Sequence, residues 1–275
     1  LLFSMTAQAS LPNATDLTTG PLLVNPLGYG EARPQFSWKL PADGTVEHQS
    51  AYHLVCASDP GLLPETPDLW DSGWVESAES TFVDYGGGPL GSRQRVYWTV
   101  RYKSGSGAVS GWAGPAMLET ALLDPADWQA QWILLPEEYP EETPPSPFLR
   151  RPFQLEDKAV KSARLYASAR GVFELHINGE RVGNDYFTPD WTDYGKRSLY
   201  RSFDITGLLQ PGDNVIGAIL GEIWYTGIIG LRSNRNQYGL VPQLLLQLEV
   251  TYADGSRQVV VSDDSWKGKI GRAHV

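Results

Sequence analysis

Runs of four to eight residues in which apolar and polar side chains alternate recur along this chain, and they fix its geometry before any other feature does. A period of two places successive side chains on opposite faces of a strand. "QFSWKL" (35–40) sets Phe36 and Trp38 on one face and polar partners on the other. "AYHLVCAS" (51–58) alternates in the same way, "TFVDY" (81–85) is short and edge-like, and "RVYWTVRYKSGSGAVSGW" (95–112) reads as a strand, a Gly/Ser turn and a short strand. Clusters of Gly, Pro and Asp separate these runs, as in an antiparallel sandwich. No heptad and no amphipathic stretch of helical length interrupts this half.

The second half carries the same signal. "PFLRRPFQL" (147–155) is strand-like, and Asn178-Gly179 lies between "FELHI" and "ERVG". Asn-Gly tolerates the positive φ that a type I′ hairpin turn demands. In "RSFDITGLLQPGDNVIGAILGE", Asp204 is placed to cap a short turn, "QPGDN" is a tight turn and "VIGAILG" a buried strand. A further hairpin has Asp254-Gly255 at its tip. The order suggests a jelly-roll-like sandwich. The fold class is therefore all-β, with an immunoglobulin/fibronectin III-like sandwich followed by a jelly-roll-like, carbohydrate-binding-type sandwich.

Between the halves, "ALLDPADWQAQWILLPEEYPEETPPSP" reads as a connector. Trp128 and Trp132 are four apart, which suits one face of a helical turn or a pair of anchors between domains. The Pro/Glu-rich part that follows, with Glu137-Glu138, reads as solvated extended chain. The domains are expected at 21–122 and 149–269, joined by a linker over 123–148. Residues 1–20 read as a leader remnant or unstructured start, because Ala7-Gln8-Ala9 has the small-residue spacing of a signal-cleavage site. That reading places the protein outside the cell or in the periplasm; without a leader it is cytoplasmic. "IGRAHV" (270–275) looks like a translated sequencing adapter and is set aside. Both ends are expected to belong to a longer chain.

Composition narrows the function classes. The 275 residues carry a net charge of −10, which repels a phosphate backbone and an anionic membrane surface. Neutral sugars are indifferent to that field. Gly 28, Pro 20, Trp 10 and Tyr 13 fit a turn-rich β protein. The one cysteine, Cys56, sits on an alternating strand and reads as a small buried hydrophobe, so a disulfide within the chain is excluded. His48, His53, His176 and His274 show no metal spacing. Trp98 reads as a core anchor of the first sandwich.

Two stretches are candidate sites. "NDYFTPDWTDYGKR" (184–197) interleaves rings with carboxylates, the pairing that holds sugars by stacking and hydroxyl hydrogen bonds. Its candidates are Asp190, Trp191, Asp193 and Tyr194. The competing reading has Trp191 and Tyr194 packed on the sandwich and Asp193 capping its own turn. "GEIWYTGIIG" (221–230) offers Trp224 and Tyr225, either bordering a cleft or packed in a corner.

The order of these pieces resembles the N-terminal region of bacterial α-L-rhamnosidases, glycoside hydrolase family 78. In the first half the resemblance rests on "NPLGYGEARPQFSWKL", "QSAYHLVCAS", "DLWDSGWVES", "YGGGPLGSRQRVYWTVRY", "GWAGPAMLETALL" and "DWQAQWI". In the second it rests on "ARLYASARGVFELHINGERVGNDYFTPDWTDYGKR", "FDITGLLQPGDNVIGAILGEIWYTG" and "LLLQLEVTYADGSRQVVVSDDSWK". It implies an inverting hydrolase that removes terminal α-L-rhamnose from glycosides, with its acid and base on a later (α/α)₆ barrel. No catalytic residue is carried onto this chain, which alone is expected to be inactive. The implied partners are rhamnose-containing glycosides and the C-terminal domains of the same chain, with no nucleic acid and no membrane. Some relatives bind rhamnose through calcium using an adjacent Asp-Asn; here that place reads Ala169-Arg170-Gly171, so no cofactor is expected and calcium is unsupported. The family also has glycine where Ile223 stands and a small polar residue where Glu222 stands. The readings from other classes are a stand-alone carbohydrate-binding or adhesive two-sandwich protein, and a structural spacer. A helix-rich continuation of the coding sequence separates the first reading from these two.

Overall fold

A computed structural model of the chain describes residues 11–135, 146–230 and 234–270. Ala7-Gln8-Ala9, Glu137-Glu138 and residues 271–275 lie outside the described residues. The chain divides into two compact units, Leu1–Asp127 and Trp128–Val275.

The first unit has eight strands: β1 (Thr15–Thr19), β2 (Leu27–Tyr29), β3 (Gln35–Lys39), β4 (Gln49–Ala57), β5 (Trp70–Val75), β6 (Val83–Asp84), β7 (Arg95–Ser104) and β8 (Ala116–Thr120). They form a three-stranded sheet, β1-β3-β6, and a five-stranded sheet, β2-β8-β7-β4-β5. The core lies where Phe36 and Trp38 of β3 meet Leu54 and Cys56 of β4 and Trp98 and Val100 of β7. Trp98 is 0% exposed. Burial holds the Cys56 thiol well above its ordinary pKa. On the polar side of β4, β5 and β7, the Arg101 guanidinium lies 5.0 Å from the Trp74 ring and 4.6 Å from the Trp112 ring. His53 bonds to Asp71 at 2.6 Å and completes that ladder. The expected edge at "TFVDY" is β6, at the rim of the three-stranded sheet.

Among the described residues the second unit has nine strands: β9 (Pro147–Gln154), β10 (Val160–Arg170), β11 (Val172–Ile177), β12 (Glu180–Arg181), β13 (Tyr200–Asp204), β14 (Asp213–Gly221), β15 (Gln243–Tyr252), β16 (Arg257–Val261) and β17 (Lys267–Ile270). Their sheets run β13-β10-β15-β16 and β12-β11-β14-β9-β17. Leu165 and Ala167 of β10, Leu175 and Ile177 of β11, Ile216 and Leu220 of β14, and Leu244, Leu246, Leu248 and Val250 of β15 fill the space between them. Asn178 and Gly179 take φ of 54° and 91° and turn β11 into β12, as Asn-Gly requires. Asp204 accepts from the Thr206 amide at 3.0 Å, an Asx-type bond just ahead of a short 3₁₀ turn, Thr206–Leu208, whose N-cap is Ile205. Pro152 sits where β9 is locally an edge, because β17 pairs only with residues 147–150.

Trp128 and Trp132 lie in no helix. Residues 128–133 instead run over the four-stranded sheet of the second unit. Trp128 packs edge-on against Tyr166 and Tyr200, at 6.4 and 5.2 Å. The Gln129 amide donates to Gln247 Oε1 at 2.7 Å, and Ile133 bridges to Leu244. β17 likewise includes Ile270, the first residue of the segment set aside on sequence grounds.

Candidate functional site

Of the six candidates, Tyr194 and Tyr225 meet at the turn where β10 passes into β11. That turn carries the chain from one sheet to the other at Gly171, with φ of +119°. A Cβ there would stand 2.3 Å from the Gly221 carbonyl, so only glycine fits. The 183–199 loop follows β12, and the 222–242 loop follows β14. The first is pinned at its base: the Phe173 amide donates to the Thr188 carbonyl at 2.8 Å, and the Thr188 hydroxyl donates to the Phe173 carbonyl at 2.8 Å.

Tyr194, Tyr225 and Tyr238 join the two loops. The Tyr194 ring lies 5.2 Å from Tyr225 and 5.3 Å from Tyr238, both edge-on. The Tyr194 hydroxyl points at the Gly171 carbonyl at 3.5 Å, and burial raises its pKa. Tyr225 is buried, and the Arg170 guanidinium lies 5.9 Å from its ring and 4.8 Å from that of Trp132. Arg170 also donates to Gln243 Oε1 at 2.9 Å. At Ala169-Arg170-Gly171, the stretch whose sequence leaves calcium unsupported, the Arg170 guanidinium lies between two rings. A fixed cation there does not suit a second one. Among the described residues no three His, Cys, Asp or Glu side chains converge as a metal site.

The carboxylates are engaged locally. Asp190 Oδ1 accepts from the Trp191 amide at 2.7 Å. Asp193 Oδ1 accepts from the Gly195 amide at 3.1 Å, and its other oxygen pairs with Lys196 at 3.3 Å. Glu222 pairs with Arg235 at 2.7 Å. Asp190 and Asp193 each close a turn instead of facing a common point, which is not the arrangement that acid–base hydrolysis needs.

The rings divide by exposure. Trp191 is 53% exposed and packs against no other ring among the described residues. Trp224 is half-buried and lies 6.1 Å from Phe187. Tyr186 and Phe187, at 77% and 61%, are more exposed than Trp191. Both stand inside the stretch singled out from sequence, yet composition alone did not separate them from their neighbours. Together with Asp185, Arg181, Glu174 and Val172 they line a groove of about 210 Å³, which none of the six candidates enters. Sequence reasoning also missed Arg170 and Tyr238, whose partners lie far off in the chain.

Comparison with known proteins adds the family. Residues 15–124 match the Rha78A-like N-terminal immunoglobulin domain, and residues 158–274 match the α-L-rhamnosidase N-terminal domain. An α-L-rhamnosidase of Formosa agariphila is 41% identical over 266 residues, covering 94% of this chain and 28% of that protein. One of Alteromonas sp. (strain LOR) is 39% identical over 263 residues, covering 92% of this chain and 28% of that protein. The solved α-L-rhamnosidase of Dictyoglumus thermophilum superposes with a TM-score of 0.85 at 32% identity, over 95% of this chain and 30% of that one. The chain thus spans less than a third of the length of these relatives. Matched in both of its units, and in the order the relatives use, this chain belongs to the N-terminal region of the α-L-rhamnosidase family.

Proposed function

We propose that the chain is the accessory N-terminal part of an α-L-rhamnosidase that removes terminal α-L-rhamnose from glycosides with inversion. The observation that carries this is the pair of consecutive domain matches across a stretch equal to 28% of the relatives' length. An inverting hydrolase needs two carboxyl groups about 6.5–9.5 Å apart across a substrate, one to protonate the leaving oxygen and one to activate water. Asp190 and Asp193 close turns and Glu222 is held by Arg235, so this reading puts the acid and base in a helical barrel beyond these residues. The two sandwiches then support that barrel, and the rim around Trp191 shapes the approach to it without performing chemistry.

The test compares the 275-residue chain with a version continued to the relatives' length, using p-nitrophenyl α-L-rhamnoside. Turnover only by the longer protein, with the inverted anomer appearing first by NMR, is the expected result. Hydrolysis by the 275-residue chain alone, abolished by Asp190→Asn or Asp193→Asn, would sink the assignment.

A further inference from the structure

The outward face of the five-stranded sheet in the second unit carries a groove of about 670 Å³, a size usual for small-ligand sites. Its floor is apolar: Phe148 of β9 and Gly217 and Ile219 of β14. The registers set His176 of β11 beside Gly217, Gly217 beside Arg150 of β9, and Arg150 beside Lys267 of β17. One row across four strands therefore reads His, Gly, Arg, Lys. Lys269 stands beside Phe148 in the next row, about 6.7 Å along the strand.

Two facts about this row are costly for a sheet with no ligand. Like charges directly opposite each other destabilise a strand pair, yet Arg150 faces Lys267 and neither makes an ion pair among the described residues. Of the acids on this face, Glu174 is engaged by His176 at 2.9 Å and Arg181 at 3.3 Å, and Asp213 accepts from the Gln154 side-chain amide at 2.7 Å. Among the described residues, no carboxylate pairs with these cations. Secondly, glycine inside a strand weakens it and often marks a place where a ligand approaches the backbone. Gly217 has no positive φ, and a Cβ there would meet only the His176 Cβ, at an ordinary 3.8 Å. Neither backbone conformation nor packing requires glycine at that point. Its absent side chain opens the floor between the cations.

We propose that this groove binds an anionic oligosaccharide, its carboxylate or sulfate groups held by Arg150, Lys267 and Lys269 and its sugar faces lying on Phe148, Gly217 and Ile219. The anionic part follows from the row of cations, none of which has an ion pair among the described residues; the sugar part rests on the rhamnosidase reading. An apolar floor with its backbone already paired within the sheet suits ring faces, whereas a peptide would seek free backbone groups at a sheet edge.

Calorimetric titration of the 275-residue chain tests this with three tetrasaccharides: a galacturonate, a sulfated carrageenan without carboxylates and neutral cellotetraose, with oligoglutamate as a fourth probe. At least one anionic sugar is expected to bind about tenfold or more tightly than the neutral one, since charge-assisted hydrogen bonds contribute on that scale. Which of the two binds identifies the acidic group. Affinity should fall about tenfold in Arg150→Gln/Lys267→Gln and on raising salt to screen the charges. Gly217→Val should also abolish binding without lowering the thermal midpoint, because a β-branched residue suits a strand. Equal or absent binding of all three sugars, tighter binding of oligoglutamate, or indifference to both variants would overturn the proposal. Absent binding alongside rhamnoside turnover by the longer protein would leave the family reading intact and remove the groove alone.

Discussion

The second sandwich has two outer faces, and its own chain treats them differently. Across β10 every residue from Ala163 to Ala169 is buried, because residues 128–133 lie over the face that its partner sheet does not cover. Across β14 burial alternates, with Ile216, Ala218 and Leu220 inward and Val215, Gly217 and Ile219 outward. Sheet faces with an apolar cover become core, and a polar group there must find a partner. Tyr166 packs under Trp128, and Gln247 accepts from the Gln129 amide. The open face keeps three cations with no ion pair among the described residues. The two faces thus differ in cover and in how their polar groups are held, and the open face is not an unfinished version of the covered one.

The largest expected effect breaks the covered side. Tyr166→Ala removes a 1% exposed ring from beneath Trp128. It should cost about 3–5 kcal/mol, as large-to-small core substitutions do, whereas Ile219→Ala on the open face should cost no more than about 1 kcal/mol. Urea midpoints at constant m-value measure both, and equal losses would erase the distinction. A smaller effect sharpens the open side. Lys267→Glu turns a like-charged pair with Arg150 into an opposite one and should raise stability by about 0.2–1 kcal/mol, less in high salt. A loss of stability would mean that Lys267 already has an acidic partner. The smallest effect concerns the turn from β16, on the covered sheet, to β17, on the open one. Bonds from the Ser265 hydroxyl and amide lower the Asp263 pKa, against partial desolvation. A depressed folded value stabilises fully above the ordinary aspartate pKa of about 4. That contribution disappears as pH falls through the lower folded value. Asp263→Asn should flatten this acid-side slope in melts followed by circular dichroism.

Strand chemistry was legible wherever it is local. Asn178-Gly179 announced its hairpin because two positive φ angles depend on those two residues alone. The local bond of Asp204 ahead of its short turn and the edge strand β6 were readable for the same reason. Trp128 and Trp132 were not, since their spacing fits a helical turn while their partners, Tyr166, Tyr200 and Arg170, come from distant strands. Within the candidate loops, local composition located the stretch around Trp191, and the turn-closing bonds of Asp190 and Asp193 are the kind that aspartate makes in any loop. The tyrosine cluster that joins the loops was invisible, because Tyr238 lies in a Gly-, Asn- and Arg-rich segment with no periodicity. The cation row depends on the register of four strands, which single-residue patterns do not encode.

The pairing of β17 with β9 bears on how the molecule is made. Strand β9 opens the second sandwich and β17 follows β10 to β16, so during vectorial synthesis one side of Pro147–Arg150 stays unpaired until those seven strands have emerged. An apolar edge held open that long is open to pairing with another nascent chain. The lysines at 267 and 269 arrive with the strand that ends this exposure.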